Sequence, residues 1–231
     1  MQRLRFRTPS PPPGLELDEE ARREICERLR AQEAAQVEEI TRRWEERERG
    51  RRFSRMGLDP SDADAPCNAG AADTLLAWLS QGGRGRNALL WGNVGAGKTS
   101  CAKRVLLRWP KGGFCLNEAD MASALRSCFR GTGDVERYME GWCRAPLLVL
   151  DDMGKACGAE GYRDWFASAV YELVDRRYTA ALPIVVTAQV CATDLVAKLA
   201  EPGMQEAVYS RLFANAKTMH FTGPDRRAED A

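Results

Sequence analysis

A glycine-rich octapeptide limits the possible folds of this 231-residue chain. Its residues are Gly92, Asn93, Val94, Gly95, Ala96, Gly97, Lys98 and Thr99. The spacing is G-x-x-x-x-G-K-[ST], in which the glycines let the backbone turn tightly and aim its N–H groups at a phosphate chain. Lys98 can reach the β- and γ-phosphates, and the Thr99 hydroxyl can coordinate Mg²⁺. With Ser100, which opens the next helical pattern, this loop predicts a binding site for ATP and Mg²⁺.

Apolar runs alternate with helical patterns from about residue 75 onwards, which is typical of a parallel sheet between helices. Five short strands are predicted, at residues 87–91, 113–117, 146–152, 182–188 and 218–222. Between them, helical patterns cover residues 100–109, 118–130, 134–143, 160–180, 192–199 and 204–215, and one short helix precedes them at 75–79. We therefore expect an α/β fold.

Two acids, Asp151 and Asp152, end a continuous apolar run and complete the predicted nucleotide site. Because parallel strands end at the same edge of a sheet, these acids should lie near the phosphate loop. Asp151 is then a candidate for the Mg²⁺ shell, with Thr99, and Asp152 for orienting or deprotonating the attacking water. Gln189 follows the next strand, where its amide either contacts the γ-phosphate or the water, or belongs to a surface loop.

Composition gives little further guidance on partners. The formal net charge is +1, so nucleic-acid or membrane binding has to come from local patches. Eight cysteines are scattered without a C-x-x-C pair, and there is one histidine, so we do not expect a zinc site. No apolar run approaches 18 residues. We expect a soluble, cytoplasmic protein that does not bind membranes.

The N-terminal part differs from the rest in composition. Residues 1–56 hold an Arg- and Pro-rich tail followed by a charged helical arm with an apolar stripe, residues 57–74 are predicted to be a linker, and residues 75–231 the ATPase domain. The apolar stripe requires a partner to cover it. The arm is either a long self-associating helix or a docking segment for another protein.

The order of these motifs resembles the DnaC/IstB branch of the AAA+ ATPases, which contains replicative-helicase loaders and transposase-helper ATPases. The resemblance covers residues 75–227 and includes Tyr209-Ser210-Arg211-Leu212-Phe213 and the final strand leading to Phe221–Arg227. It implies a P-loop AAA+ core with a five-stranded parallel sheet, no C-terminal lid, and self-assembly.

By this resemblance Arg211 is an arginine finger that acts in trans, in the nucleotide site of a neighbouring subunit; otherwise it is a helix arginine paired with a nearby acid. The sensor strand of the family usually ends in Thr-Ser-Asn, whereas this chain has Thr187-Ala188-Gln189. The longer glutamine implies slow hydrolysis. The arm also lacks the cysteine cluster of some loaders.

Residues 120–144 occupy the place where initiator and loader ATPases carry an extra helix that faces single-stranded DNA. Arg126, Phe129 and Arg130 mix cations with a ring, as do Arg137 and Tyr138, a combination typical of strand-tracking surfaces. The alternative is an ordinary amphipathic helix in which the rings pack.

These observations favour an ATP-dependent loader that binds a hexameric replicative helicase of the DnaB type and helps to place it on single-stranded DNA. The separate charged arm suits tethering to such a ring. An IstB-type transposition helper is the first alternative. A non-hydrolysing adaptor, in which ATP acts only as a conformational ligand, is the second.

Overall fold

The computed structural model describes residues 27–28, 56, 58, 68–129, 133–155 and 160–225. The chain divides into two units, Met1–Arg49 and Gly50–Ala231. The predicted arm, residues 1–56, lies outside the described residues except for the helical pair Glu27 and Arg28 and for Met56. The domain boundaries therefore stay predictions, and the fold below is that of the second unit.

Helices and strands alternate along the described part of the second unit. The strands are β1 Ala88–Gly92, β2 Phe114–Asn117, β3 Leu148–Met153, β4 Ile184–Ala188 and β5 Lys217–Phe221. The helices are α1 Ala69–Ser80, α2 Lys98–Arg108, α3 Glu118–Phe129, α4 Val135–Arg144, α5 Glu160–Thr179, α6 Ala192–Leu199 and α7 Gln205–Leu212. Each of the predicted strands is present.

The strands form one five-stranded sheet in the order β2-β3-β4-β1-β5, and every neighbouring pair is parallel. In β1, which lies between β4 and β5, Leu90 lies opposite Thr187 of β4 and Met219 of β5. The strand that ends before Gln189 thus lies between the strand of the phosphate loop and the strand of the two acids. The predicted α/β fold with a parallel five-stranded sheet is confirmed.

Alternate residues along β1 enter two separate cores, one on each face of the sheet. Leu90 packs with α1 and α2, where Leu75 and Val105 are fully buried. Leu89 packs on the other face, with α3 to α7. The sheet is therefore covered by helices on both faces, as a parallel sheet requires. No helix among the described residues combines the length and apolar character needed to cross a bilayer.

Helix α1 begins earlier than predicted, inside the segment 57–74 that was expected to be a linker. The side chain of Asn68 caps it by accepting a hydrogen bond from the backbone N–H of Ala71, 3.1 Å away. Asparagine is among the best N-cap residues, so it sets the start of this helix. The predicted helix at 75–79 is only its apolar second half, in which Leu75 and Leu79 face the core.

Candidate functional site

The phosphate loop connects the carboxyl end of β1 to the first turn of α2. Gly97 has a φ of 91° and is the N-cap of α2, so the helix starts at Lys98 with its first N–H groups facing the loop. These groups and the helix dipole favour an anion at this position. The loop therefore has the backbone geometry of a phosphate site.

The ammonium group of Lys98 folds back over the loop. It donates hydrogen bonds to the carbonyl oxygens of Gly92, 2.8 Å away, and Asn93. Only 8% of Lys98 is exposed. This position holds the positive charge at the loop. Phosphate oxygens could replace the two carbonyl oxygens as its hydrogen-bond partners.

Thr99 and the acid at the end of β3 are in direct contact, as predicted. The Thr99 hydroxyl donates to Asp151 Oδ1 at 2.9 Å. The same oxygen accepts a hydrogen bond of 2.6 Å from the hydroxyl of Thr187 in β4. Asp151 is buried, so two hydroxyl donors stabilise its carboxylate and fix its orientation.

A β-bulge in β3 carries the two acids. Leu150 lies opposite Val186, but the next aligned pair is Met153 and Ala188, so β3 contains one extra residue there. Asp152 takes a φ of 58°, and its backbone N–H donates to Thr187 Oγ1 at 2.8 Å. Bulges next to functional sites re-aim side chains. Here the extra residue interrupts the regular alternation of strand residues between the two faces at the position of the two acids.

The carboxylate of Asp152 is partly exposed and forms an ion pair with Lys155, with 2.6 Å between Oδ2 and Nζ. Gln189, also exposed, comes directly after β4, whose last residue Ala188 lies opposite Trp91. The two residues therefore lie at the carboxyl edge of the sheet, on strands next to the loop. Their chemical roles remain predictions.

Arg211 lies at the other edge of the sheet from the phosphate loop. The side chain of Asn87 donates to the carbonyls of Arg211 and Leu212, at 3.1 Å each, and Asn87 immediately precedes β1. The five residues of β1 separate this point from the loop. At ~3.3 Å per residue the separation is about 16 Å. The backbone of Arg211 is thus at the opposite end of β1 from the phosphate loop of its own chain.

The segment after β5 braces the phosphate loop, a contact that sequence reasoning missed. The backbone N–H of Asn93 donates to Phe221 O at 2.9 Å, and its side chain donates to the carbonyls of Thr222 and Gly223. A Cβ on Gly92 would lie 2.2 Å from Phe221 O, and one on Gly95 would lie 1.6 Å from the carboxylate of Asp225. These two glycines are required by the close approach of this segment.

The residues predicted to contact DNA are only partly described. Arg126 is exposed on α3, and Phe129 is the last residue of that helix. Arg130 lies outside the described residues. On α4, Tyr138 is 39% exposed and stacks on Trp142 with 5.8 Å between ring centroids. Tyr138 and Arg137 line a groove of about 350 Å³, so a cation and an accessible ring do lie together.

Two residues of the site were not singled out from the sequence. Thr187 bonds to both acids, and Asp225 lies against the loop. For Thr187 the usable signal is a hydroxyl residue near the end of the strand beside β3. No local pattern indicates the second, since it depends on how β5 pairs with β1.

The donor set fits a magnesium ion with a triphosphate. The Thr99 hydroxyl and Asp151 carboxylate, 2.9 Å apart, are the oxygen ligands that Mg²⁺ prefers, together with phosphate oxygens and water. Both lie next to the N-terminus of α2, where the phosphates would sit.

Solved structures with this fold include those of DnaI and of the DnaC helicase loader. DnaI is 18% identical, with a TM-score of 0.54 over 69% of this chain and 89% of that chain. The DnaC helicase loader is also 18% identical, with a TM-score of 0.53 over 68% of this chain and 93% of that chain.

The replication initiator DnaA, bound to AMPPCP and single-stranded DNA, is 17% identical, with a TM-score of 0.50 over 67% of this chain. The match spans 47% of the DnaA chain, less than half of it. No protein-family model matches the sequence, and neither does any curated protein. At these identities the likeness concerns the fold, and the resemblance predicted from the motifs is confirmed at that level: the chain has the α/β P-loop fold of DnaC and DnaI.

Proposed function

We propose that this protein is an ATP-dependent loader for a replicative helicase. The observation that carries the ATP-dependent part of the proposal is the Thr99–Asp151–Thr187 chain of hydrogen bonds beside a complete phosphate loop. In this proposal residues 92–100 bind the triphosphate, with Lys98 on the β- and γ-phosphates. Thr99 and Asp151 hold Mg²⁺, which when bound neutralises charge on the phosphate oxygens.

Hydrolysis requires a group that orients or deprotonates water, and Asp152 is our candidate. Its positive φ and its bond to Thr187 hold its backbone in one place while the carboxylate stays accessible. Such strain at a non-glycine residue is typical of functional sites. Gln189 is our candidate for the second contact to the water or the γ-phosphate. The pairing of Asp152 with Lys155 and the length of Gln189 both suit a slow reaction.

Arg211 supports a reaction that depends on assembly. Its backbone carbonyl lies at the amino edge of the sheet, about 16 Å from the loop along β1. A guanidinium that stabilises the γ-phosphate in the transition state can instead be supplied by another subunit. We propose that Arg211 supplies it in trans.

Two of the similar solved structures support a role with a helicase on DNA. The solved DnaC structure is named as a helicase loader, and the solved DnaA complex contains single-stranded DNA. We propose residues 1–56 as the segment that binds the helicase hexamer. We also propose that Arg126, Phe129 and Arg130, with the Arg137–Tyr138 groove, contact the single strand by stacking and cation contacts.

The test is to mix the purified full chain with the replicative helicase of its host, with and without Mg-ATP, and to measure the mass of the complexes. We expect a defined complex with the hexamer that is lost when residues 1–56 are deleted. No complex under any nucleotide condition would contradict the loader role. Tight duplex-DNA binding would then favour the transposition helper, and nucleotide binding without turnover the adaptor.

A further inference from the structure

The guanidinium of Arg211 is held by a side chain from another helix. Asp175 of α5 accepts a hydrogen bond from Arg211 Nε, with 2.6 Å between Nε and Oδ1. Nη1 donates to the carbonyl of Ala207, one turn back in α7, at 3.1 Å. The guanidinium carbon lies 5.6 Å from the ring centre of Tyr171, also on α5. Helix α5 therefore restrains a side chain that would otherwise sample many rotamers.

The geometry of this ion pair leaves one edge of the guanidinium available. Asp175 contacts Nε, whereas a carboxylate that blocked an arginine end-on would take both terminal nitrogens. With Nε bonded to Asp175 and one N–H of Nη1 bonded to Ala207, three of the five guanidinium N–H groups remain, two of them on Nη2. The Arg211 side chain is 28% exposed, so part of it is open to a partner.

The ion pair contributes little to the stability of the fold. The Asp175 side chain is 41% exposed. Partly exposed pairs are screened by water and usually add little to the folding free energy. Stability alone therefore does not explain why Asp175 is paired with Arg211. Orientation of the Arg211 guanidinium explains it better.

We propose that Asp175 is a positioning residue that orients Arg211 for a triphosphate bound to a neighbouring copy of this chain. This inference rests on the proposed action of Arg211 in trans. Holding Nε in advance removes rotamer freedom before the phosphate arrives, so less entropy is lost in the transition state. The negative charge of Asp175 also keeps the guanidinium compensated while no phosphate is present.

The test uses full-length subunits that are each inactive for a different reason. An Asp152→Asn subunit keeps Arg211 but lacks the proposed water-orienting acid, and an Arg211→Ala subunit keeps the site but lacks the finger. We expect neither to hydrolyse ATP alone, and we expect their mixture to regain turnover at interfaces where an intact site meets an intact finger.

Asp175→Ala is then added to one subunit of the mixture at a time. In the Asp152→Asn subunit, which supplies Arg211, we expect it to lower the regained kcat at least tenfold without changing ATP affinity. In the Arg211→Ala subunit, the same substitution should have no effect. Asp175→Asn, which keeps an oxygen for Nε, should retain most of the turnover. Glu172→Gln, which alters the neighbouring pair with Arg176, is the control on the same helix.

The outcomes separate the two proposals. If wild-type protein hydrolyses ATP but the two-subunit mixture does not, the role of Arg211 in trans is wrong. The positioning role of Asp175, which depends on it, is then wrong as well. If the mixture is active and Asp175→Ala has no effect in the finger-donating subunit, only the positioning role is wrong. An equal loss in both subunits would mean that Asp175 acts on the fold and would overturn the positioning role.

Discussion

Single residues at the carboxyl edge of the sheet bring the predicted site together through side-chain hydrogen bonds. Thr187 connects the two acids, because its hydroxyl donates to Asp151 and accepts from the backbone of Asp152. Thr99 adds a second donor to Asp151. The orientation of Asp151 is thus fixed by hydrogen bonds from β4 and from α2.

Replacing Lys98 tests the phosphate loop. We expect Lys98→Ala to weaken ATP binding by roughly 100-fold, since a charge-assisted hydrogen bond to phosphate contributes about 3 kcal/mol. Titration with a fluorescent ATP analogue measures it. Lys111→Ala, an exposed lysine in the turn before β2, is the matched control. Unchanged affinity in Lys98→Ala would contradict the assignment of the loop.

At the scale of secondary-structure elements, one buried charge joins α4, α5 and the start of β4. Arg177 is fully buried in α5, and its guanidinium donates to the carbonyls of Trp142, Ala145 and Pro183 at 2.6–2.8 Å. It thereby satisfies carbonyls at the end of α4 that no helical N–H can reach. Burial lowers the pKa of Arg177 to about 10, so it stays protonated at neutral pH.

Removing this charge should destabilise the fold. We expect Arg177→Met to lower the free energy of unfolding by about 3 kcal/mol, because it leaves buried carbonyls without donors. Its neighbour Arg176 forms an exposed pair with Glu172, and Arg176→Met should cost less than about 1 kcal/mol. Urea denaturation of both variants measures the difference. Equal stabilities would show that the carbonyls find other donors.

A second prediction at this scale concerns the segment after β5. The carboxylate of Asp225 lies against Gly95, so we expect it to repel a triphosphate in the loop. We expect Asp225→Asn to tighten ATP binding about fivefold, from roughly 1 kcal/mol of like-charge repulsion. The gain should shrink at high salt. Asp164→Asn, an exposed acid on α5, should leave the Kd unchanged, and a Kd for Asp225→Asn equal to wild type would contradict the repulsion.

Elements and site differ in how far they could be predicted. The positions of β1, β3 and β4 follow from apolar runs, since the inner strands of a covered parallel sheet are apolar, whereas the edge strand β5 is largely exposed and carries Lys217 and His220. The bulge at Asp151 and Asp152 could not be predicted, because an extra residue changes pairing without changing composition. The pairing of Asp175 with Arg211 and the contact of Asp225 with Gly95 both depend on the packing of distant segments.

At the scale of the whole molecule, the loop and Arg211 lie at opposite edges of the sheet, which has a kinetic consequence. If Arg211 acts in trans, turnover per subunit should rise with protein concentration and level off once assembly is complete. Arg211→Ala should bind ATP normally yet stay on the order of 10³-fold slower at every concentration. Steady-state ATPase assays over a dilution series measure both. Turnover per subunit that is independent of concentration in a protein shown to dissociate would contradict action in trans.

The bracing of the phosphate loop by the last strand also bears on synthesis at the ribosome. The side chain of Asn93 bonds to Thr222, which lies 129 positions later in the chain. The ribosome therefore completes the whole glycine-rich loop long before it makes the segment that braces the loop. Until Lys217–Phe221 emerges, β1 has no neighbour on that side and is an open edge strand, which invites pairing with other chains. We therefore expect nascent chains to expose an apolar edge, β1, until β5 joins the sheet and makes the edge a more polar strand, KTMHF.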